Sequence, residues 1–251
     1  MHPIYALWAH PRSMSTAMER VMRERGDLDC SHEPFMYDYY VHRQVRRMPH
    51  FDVQPDHPVR YEDIRDSLMA RAESGPVFFK DMSYYMLPHL LDDARFLSAL
   101  TNVFLIRDPV AAIASYFKLD PDVTLEEIGL EAQWRHFAAL RDRGERPVVI
   151  RAEDVRQDTR GVMRRMWETI GLPDVEAAFE WQNERPKDWA QVEGWHSDVS
   201  ASRGIRPLTE TEVQEQRQKF EALALLHPKM NAYLAHHLPY YERLSAEALV
   251  A

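Results

Sequence analysis

The sequence predicts an α/β protein: a single three-layer domain in which a central parallel sheet is flanked by helices. Its 251 residues suit one large domain, and 45% hydrophobic with 28% charged residues is a composition that can bury a sizeable core. Short apolar runs alternate with helix-length segments, the pattern of parallel strands covered on both faces. Because no internal repeat or Gly/Ser-rich linker divides the chain, we expect one domain over residues 1–251.

Four runs of apolar, mostly β-branched or aromatic residues predict the strands, and a shorter run is a fifth candidate. Successive positions in each run are apolar rather than alternating with polar ones, which is typical of strands buried on both faces. The runs are 4–9, 77–79, 103–106 and 148–150, with 28–31 as the shorter candidate.

The clearest predicted helix follows the first strand. From Ser13 onward, apolar residues recur at the spacing of one helical face, and Gly26 stands where the helix would end. Capping-box pairs at Thr124/Glu127 and Thr209/Glu212 and an apolar stripe over 162–170 predict further helices. The pair Thr209/Glu212 opens the C-terminal helices that we expect over about 209–251.

Two long segments do not fit the alternation of strands and helices. Residues 35–57 are rich in aromatic, Arg and His residues, and residues 182–207 are long, polar and irregular. Segments of that length in a compact domain are either functional lids or disordered, so both interpretations stay open at this point.

Charge and cysteine content exclude several classes of partner and site. The net charge of −9 argues against a nucleic-acid or anionic-membrane partner, because these recruit basic surfaces. The single cysteine, Cys30, excludes an intramolecular disulfide and a cysteine-based zinc site. Without an apolar run of about 20 residues or the order of elements in a signal peptide, we expect a soluble, cytoplasmic protein.

The turn after the first predicted strand reads HPRSMSTA over residues 10–17. An arginine and hydroxyl side chains at the start of a helix add donors to its free N–H groups, which predicts an anion site. The alternative is ordinary capping by Ser13 with Arg12 in solvent. The loop has neither the glycines nor the lysine of a nucleotide-triphosphate loop, which disfavours an ATP or GTP phosphotransferase.

A second polar turn follows the strand predicted at 103–106. There Asp108 can cap a helix, Pro109 suits the first helical position, and Arg107 is left at the carboxyl edge of the sheet. Open α/β sheets bind ligands at that edge. An Arg beside an Asp is by itself more often a structural ion pair, but together with the first loop it indicates a second anion site.

Four short motifs together resemble the sulfotransferases that use 3′-phosphoadenosine 5′-phosphosulfate (PAPS). They are PRSMST at 11–16, RDP at 107–109 with Ser115, RAED at 151–154, and SRG at 202–204. The resemblance implies a parallel sheet related to that of the P-loop nucleotide kinases. It also implies transfer of a sulfonate group to a hydroxyl or amine of a small-molecule acceptor, with PAPS as cosubstrate, adenosine 3′,5′-bisphosphate (PAP) as product, and no metal.

The resemblance also implies roles for single residues. The 5′-phosphosulfate would be held by residues of the first loop, namely Arg12, Ser13, Met14, Ser15 and Thr16. The 3′-phosphate would be held by Arg107 and Ser115 and covered by Ser202, Arg203 and Gly204, which turns the segment 182–207 into a lid-like loop.

The base that takes the proton of the acceptor is expected to be Glu33. In the cytosolic branch of the family a histidine stands two residues after a lysine; here Lys80 is present but Met82 occupies the histidine position. Other branches use a glutamate just after the second strand, where this chain has Glu33, with His32 and Asp81 as the alternatives. Lys80 would contact the leaving or bridging oxygen, and Arg12 would stabilise its charge. A structural ion pair of Glu33 is the other interpretation.

Aromatic residues are the candidates for binding the acceptor, since they can stack on an apolar ligand and reach its polar edge through their hydroxyls. They are Phe35, Tyr37, Tyr84 and Tyr85, with Tyr39 and Tyr40; the alternative is that they belong to the core. Two other functions stay open: a nucleotide or small-molecule kinase, and a nucleotide-binding module that lacks a base. The protein would be a monomer or a homodimer.

Overall fold

The computed structural model describes residues 1–181, 186–192, 194–195 and 204–249. Its centre is a five-stranded parallel sheet with the strand order β2-β3-β1-β4-β5. The strands are β1 Ile4–Ala9, β2 Asp29–His32, β3 Val77–Met82, β4 Leu100–Ile106 and β5 Val148–Arg151. Helices flank the sheet, so the predicted α/β class is confirmed.

All five predicted runs are strands, and the differences lie at their ends. β3 continues through Lys80 and Asp81, and β4 begins earlier, with Thr101 and Asn102 inside it. Polar residues therefore extend strands beyond the apolar runs. Asn102 is buried because its Oδ1 accepts a hydrogen bond from Nε1 of Trp8 at 2.8 Å, which offsets the cost of burying an amide.

The helices follow the strands in the order expected of βα units. One turn of π-helix spans Asp38–His42, and short 3₁₀ segments span Glu126–Ile128, Glu176–Phe179 and Lys187–Val192. The α-helices are α1 Ser15–Glu24, α2 Tyr61–Arg71, α3 Ser83–Leu90, α4 Ala94–Leu97, α5 Pro109–Leu119, α6 Leu130–Asp142, α7 Ala152–Gln157, α8 Thr159–Thr169, α9 Glu210–Leu226 and α10 Lys229–Ala246.

Three of the predicted caps are found, one of them at a different kind of helix. Asp108 caps α5 by accepting from the N–H of Val110, and Thr209 with Glu212 forms a complete capping box on α9. The pair Thr124/Glu127 is hydrogen bonded as predicted, but it opens the 3₁₀ segment Glu126–Ile128. The expectation of an α-helix there is wrong: Gly129, with φ of 85°, interrupts the chain before α6.

Part of the segment 35–57 is neither a lid nor disordered. Residues 35–40 are all buried, and the first three residues of the π-helical turn, 38–40, belong to this buried stretch. Its aromatic side chains have too much apolar surface to remain in solvent. In the segment 182–207 the structure describes residues 186–192, 194–195 and 204–207; the remainder lies outside the described residues.

Two compact units make up the chain, and each has its own core. Unit one comprises Met1–Trp8, Thr16–Val103 and Val175–Gly204; unit two comprises Ala9–Ser15, Phe104–Asp174 and Ile205–Ala251. Phe79 and Phe96 stack in the core of unit one, and Phe104 and Phe137 pack edge to face in that of unit two. A single domain over 1–251 stays a prediction. None of the helices in the described part of the chain is long and apolar enough to span a membrane.

Candidate active site

The predicted anion loop follows β1, and its backbone has a conformation that glycine usually adopts. Arg12 and Met14 have φ of 63° and 74°, in the left-handed region that L-residues rarely adopt. The loop is closed by the N–H of Ser13, which donates to the carbonyl of His10 at 3.2 Å. Left-handed residues alternating with ordinary ones turn successive N–H groups toward one side, which makes an anion-binding concavity.

In unit two, the structure brings together the two predicted anion motifs. Nε of Arg12 donates to Oγ of Ser115 at 2.9 Å, and Nη1 of Arg107 donates to the carbonyl of Arg12 at 2.8 Å. Arg12 and Ser115 are 103 positions apart in the chain. Both guanidinium groups therefore belong to one local site instead of pointing to different parts of the unit.

The site has unused hydrogen-bonding capacity, which favours an anion as its ligand. The hydroxyl of Ser13 is buried and has no hydrogen-bond partner among the described residues. Burial lowers the pKa of Arg107, and Glu153 only partly opposes this effect. A buried hydroxyl without a partner and a cation incompletely compensated by the protein are both stabilised when a phosphate group binds.

His10 is part of this site, although the sequence reasoning assigned it no role. Its Nε2 accepts the backbone N–H of Arg107 at 3.0 Å, and burial, followed by the charge of Arg107, lowers its pKa to about 3. The ring is therefore neutral at ordinary pH, as an acceptor must be. Asp108 is held in a similar way, since its N–H donates to Oε1 of Glu153 at 3.0 Å.

The candidate base lies in unit one, at the carboxyl ends of β2 and β3. Glu33 follows β2 with φ of 41°, and its Oε1 is in close contact with Nζ of Lys80. Oε2 of Glu33 accepts from the hydroxyl of Tyr85 at 3.4 Å. His32 pairs with Lys80 in the register of the two strands. The structure thus places Glu33, Lys80 and His32 together, as the sequence predicts.

A further buried carboxylate holds this cluster from α1. Glu19, fully buried, accepts at Oε1 from Nε of Arg23 and from Nε1 of Trp189, both at 2.8 Å, and its Oε2 lies 2.6 Å from Nδ1 of His32. Nothing in the sequence reasoning singled out Glu19. Its spacing of four from Arg23 on a helix was the available signal.

Asp81, the other alternative base, has both carboxylate oxygens engaged by backbone. Oδ2 accepts from the N–H of Phe35 at 2.8 Å and Oδ1 from the N–H of Met82 at 2.9 Å. Burial, and next the charge of Glu33, raises its pKa well above the ordinary value. These bonds hold the chain just after Glu33 against β3, which favours a positioning role for Asp81 and leaves Glu33 as the candidate base.

The predicted acceptor-binding aromatics are buried. Phe35 packs against Tyr61, Phe79 and Phe96, which favours a role in the core. Tyr37 stacks on His57 with 3.6 Å between ring centres. Tyr84 and Tyr85 pack edge to face at 4.6 Å, and Tyr85 is the one of the four whose hydroxyl bonds to Glu33.

A cavity of about 270 Å³ in unit one lies next to His32, which belongs to the cluster with Glu33 and Lys80. Its lining includes His32 and Pro34, which flank Glu33 in the chain, and the polar side chains of Gln54, His57, Arg71 and Asp188.

The remaining predicted residues are placed as follows. Ser15 and Thr16 are buried in the first turn of α1, Met14 is half-buried, and Gly204 is half-buried in a bend. Ser202 and Arg203 lie outside the described residues.

Comparisons with known proteins identify a family. The family model described as sulfotransferase domain matches residues 4–236. Two Arabidopsis thaliana proteins named branched-chain-amino-acid aminotransferase-like protein 2 and 1 are each 23% identical, over 207 and 213 residues, which is 82% and 79% of this chain and 36% of each relative. This chain thus spans about a third of the length of the curated relatives that it matches.

Among solved structures, the sulfotransferase domain from the curacin biosynthetic pathway has a similar fold. The TM-score is 0.50 at 15% identity, covering 88% of this chain and 97% of that one. Together with the family match over nearly the whole chain, this shows that the chain belongs to the sulfotransferase domain family.

Proposed function

We propose that the chain transfers the sulfonate group of PAPS to a hydroxyl of a small-molecule acceptor and releases PAP. The observation that carries this proposal is the convergence of Arg12, Ser115 and Arg107, linked by hydrogen bonds of 2.9 and 2.8 Å. PAPS carries phosphate groups at both ends of its ribose, and a pair of neighbouring guanidinium groups with hydroxyl donors matches that distribution of charge.

The residues of unit two fit such a donor. The buried hydroxyl of Ser13, the left-handed turns at Arg12 and Met14, and the N-terminus of α1 at Ser15 would hold the 5′-phosphosulfate. Arg107 and Ser115 would hold the 3′-phosphate. When bound, PAPS supplies an activated sulfonate group with a phosphate as its leaving group.

Catalysis in this proposal consists of positioning and charge stabilisation. In an in-line displacement, negative charge grows on the oxygen that leaves, and fixed donors aimed at that oxygen lower the barrier. Arg12, the first turn of α1 and Lys80 are the donors that we assign to this oxygen. No step needs a metal ion, because these groups can supply the positive charge.

Glu33 takes the proton of the acceptor hydroxyl in this proposal. Its carboxylate is buried at the end of β2, and its contact with Lys80 keeps it oriented until the acceptor arrives. A positioned base of this kind contributes roughly 100- to 10,000-fold to the rate. An amine acceptor would use the same residue.

The cavity lined in part by His32 and Pro34 is the site that we assign to a small, polar acceptor. Its volume of about 270 Å³ suits a small molecule, and its amide, imidazole, guanidinium and carboxylate groups suit a ligand with several hydrogen-bonding groups. We propose that the protein acts on this acceptor in the cytoplasm, as a monomer or homodimer, without a nucleic-acid or membrane partner.

Ligand-induced thermal stabilisation and sulfonate transfer test the proposal together. PAP at about 100 times its Kd should stabilise the fold by about 2.7 kcal/mol, or roughly 5 to 10 °C, and ATP at the same concentration should have little effect. Transfer of labelled sulfonate from PAPS to a panel of alcohols, phenols, sugars and amines should identify the acceptor class.

Each alternative function gives a different result in these measurements. Stabilisation by ATP in preference to PAP would contradict the proposal and favour a kinase. Stabilisation by PAP without transfer to any acceptor of the panel would favour a binding module.

A further inference from the structure

Glu19 is a buried carboxylate that the proposed donor and base chemistry leaves unexplained. Its side chain is 0% exposed, yet it receives hydrogen bonds from Arg23, Trp189 and His32. Burying a carboxylate is costly unless several donors compensate it, and a hydrophobic side chain would fill the same space without that cost. The charge of Glu19 therefore indicates a role that a hydrophobic side chain could not fill.

The contact of Glu19 with His32 fixes which ring nitrogen carries the proton. A carboxylate can only accept, so at 2.6 Å the Nδ1 of His32 is the donor to Oε2 of Glu19. Burial, and next the charge of Lys80, lowers the pKa of His32 to about 3, so the ring is neutral and its Nε2 carries no proton. That unprotonated Nε2 lies 3.9 Å from Oε1 of Glu33.

We propose that Glu19 is a positioning residue that holds His32 ready to accept a hydrogen bond from Glu33 once Glu33 has taken the proton of the acceptor. This inference rests on the proposed role of Glu33 as base. The O–H bond of the acceptor breaks as its oxygen bonds to sulfur, the bond between sulfur and the 5′-phosphate oxygen of PAPS breaks, and PAP leaves with that electron pair. The proton binds to the Glu33 carboxylate, which then donates it in a hydrogen bond to Nε2 of His32. This chain of hydrogen bonds, from Glu33 through His32 to Glu19, is the relay.

The charges around His32 leave room for one proton. Glu19 and Arg23 face it from α1, Glu33 follows it on β2, Lys80 pairs with it from β3, and Asp188 accepts its backbone N–H at 3.1 Å. The ring of Trp189 packs beside it. Three carboxylates therefore face two cations, and the one proton that Glu33 takes makes the cluster neutral.

Lys80 opposes a charge on His32. Its Nζ contacts Glu33 and lies 4.0 Å from Oε2 of Glu19. Burial is the first cause of the low pKa of His32 and the charge of Lys80 is the second, so the ring accepts a hydrogen bond from Glu33 without taking its proton.

The tautomer of His32 can be measured without activity. In ¹⁵N NMR of the full chain, His32 should show the Nδ1–H tautomer, with its resonances identified by their loss in His32→Gln or by contacts with the ring of Trp189. In Glu19→Gln the tautomer should change or become mixed, because an amide can donate to Nδ1. An Nε2–H tautomer in the unsubstituted protein would overturn the proposal.

Kinetics then separate the relay from the base. Glu19→Gln keeps an oxygen for Arg23 and Trp189 and should lower kcat about 100-fold or more, with the KM for PAPS changed less than about 3-fold. The matched control is Glu24→Gln, which removes another carboxylate of α1, one paired with Arg20 at 2.6 Å; its kcat should stay within about 3-fold.

Two results distinguish failure of the relay from failure of the base. Normal kcat in Glu19→Gln with a low kcat in Glu33→Gln would overturn the relay and leave Glu33 as base. Normal kcat in Glu33→Gln would overturn the base and the relay together. Should Glu19→Gln not fold, the tautomer in the unsubstituted protein still decides the question.

Discussion

Nη1 of Arg107 donates to the backbone carbonyl of Arg12 at 2.8 Å. A guanidinium on a loop after β4 thus supports the backbone of the loop after β1. A hydrogen bond from a charged group contributes about 1.5 to 3 kcal/mol, enough to hold a residue in the left-handed region, which costs about 1 to 2 kcal/mol. Arg107 therefore has two roles: it shapes the anion loop and it supplies positive charge to it.

Replacing Arg107 by lysine tests both roles. Lysine keeps the charge but cannot bond the carbonyl of Arg12 and bind a phosphate in the same planar geometry. We expect the Kd for PAP, measured by calorimetry, to rise about 10-fold or more, which corresponds to about 1.4 kcal/mol. Arg164→Lys is the matched control, since Arg164 forms a surface pair with Asp174 at 2.9 Å in the same unit. Equal affinities for the two variants would contradict the role of Arg107.

The backbone of Met14 gives a prediction about stability. Because φ is 74° at this position, glycine should be more stable there than alanine. We expect Met14→Gly to be more stable than Met14→Ala by about 1 kcal/mol, the reverse of the order inside a helix, where alanine is favoured by about 1 kcal/mol.

Urea unfolding of the two Met14 variants measures this difference directly. A helix-interior pair, Arg135→Gly and Arg135→Ala on α6, provides the comparison and should show the usual order. If Met14→Ala is the more stable of its pair, the left-handed conformation is not what limits this loop.

Much of the fold and of the anion site could be predicted from the sequence because the signals are local. An apolar strand followed directly by an amphipathic helix fixes where residues 10–16 lie, and the cap at Asp108 fixes Arg107 at the edge of the sheet. Both motifs come directly after strands that neighbour each other in the sheet, so their convergence follows from the topology.

The rest depends on contacts that no local pattern contains. Glu19 sits on α1 next to apolar positions, where a charged residue is usually solvated, and its burial depends on Trp189, 170 positions away. The left-handed backbone at Arg12 and Met14 escaped prediction because glycine, the usual signal, is missing there. Polar residues 80–81 lengthened β3 beyond its apolar run because each has a buried partner.

Glu33→Gln tests the candidate base. Glutamine keeps the size and can still accept from Tyr85, but it cannot take a proton, so we expect kcat to fall roughly 100- to 10,000-fold. The Kd for PAP should change less than about 3-fold, since no residue of the anion site is altered. Glu24→Gln, which removes a carboxylate paired with Arg20 at 2.6 Å on α1, should leave kcat within that same small range. An undiminished kcat in Glu33→Gln would exclude it as the base.

Buried histidines predict the response of stability to acid. Burial is the first cause that lowers the pKa of His10, His32 and His136 to about 3 and that of His237 to about 4, from an ordinary value of 6.5. Below pH 6.5 the unfolded chain therefore binds protons that the folded chain excludes. Stability is fully present above that pH and falls as the pH decreases toward 4, by about 1.4 kcal/mol per pH unit for each histidine.

Four such groups should together lower the free energy of unfolding by up to about 5 kcal/mol between pH 7.5 and pH 5.5, measured by urea unfolding at each pH. In His136→Phe the loss should be smaller by about 1.4 kcal/mol, because the phenyl ring cannot be protonated and can still pack against Phe104, 5.1 Å away. Substituting His2, which is exposed, should leave the pH dependence unchanged. Equal stability at the two pH values would mean that the buried rings accept protons in the folded state. His10 in the anion site and His32 beside Glu33 would then not be neutral, contrary to the roles assigned to them here.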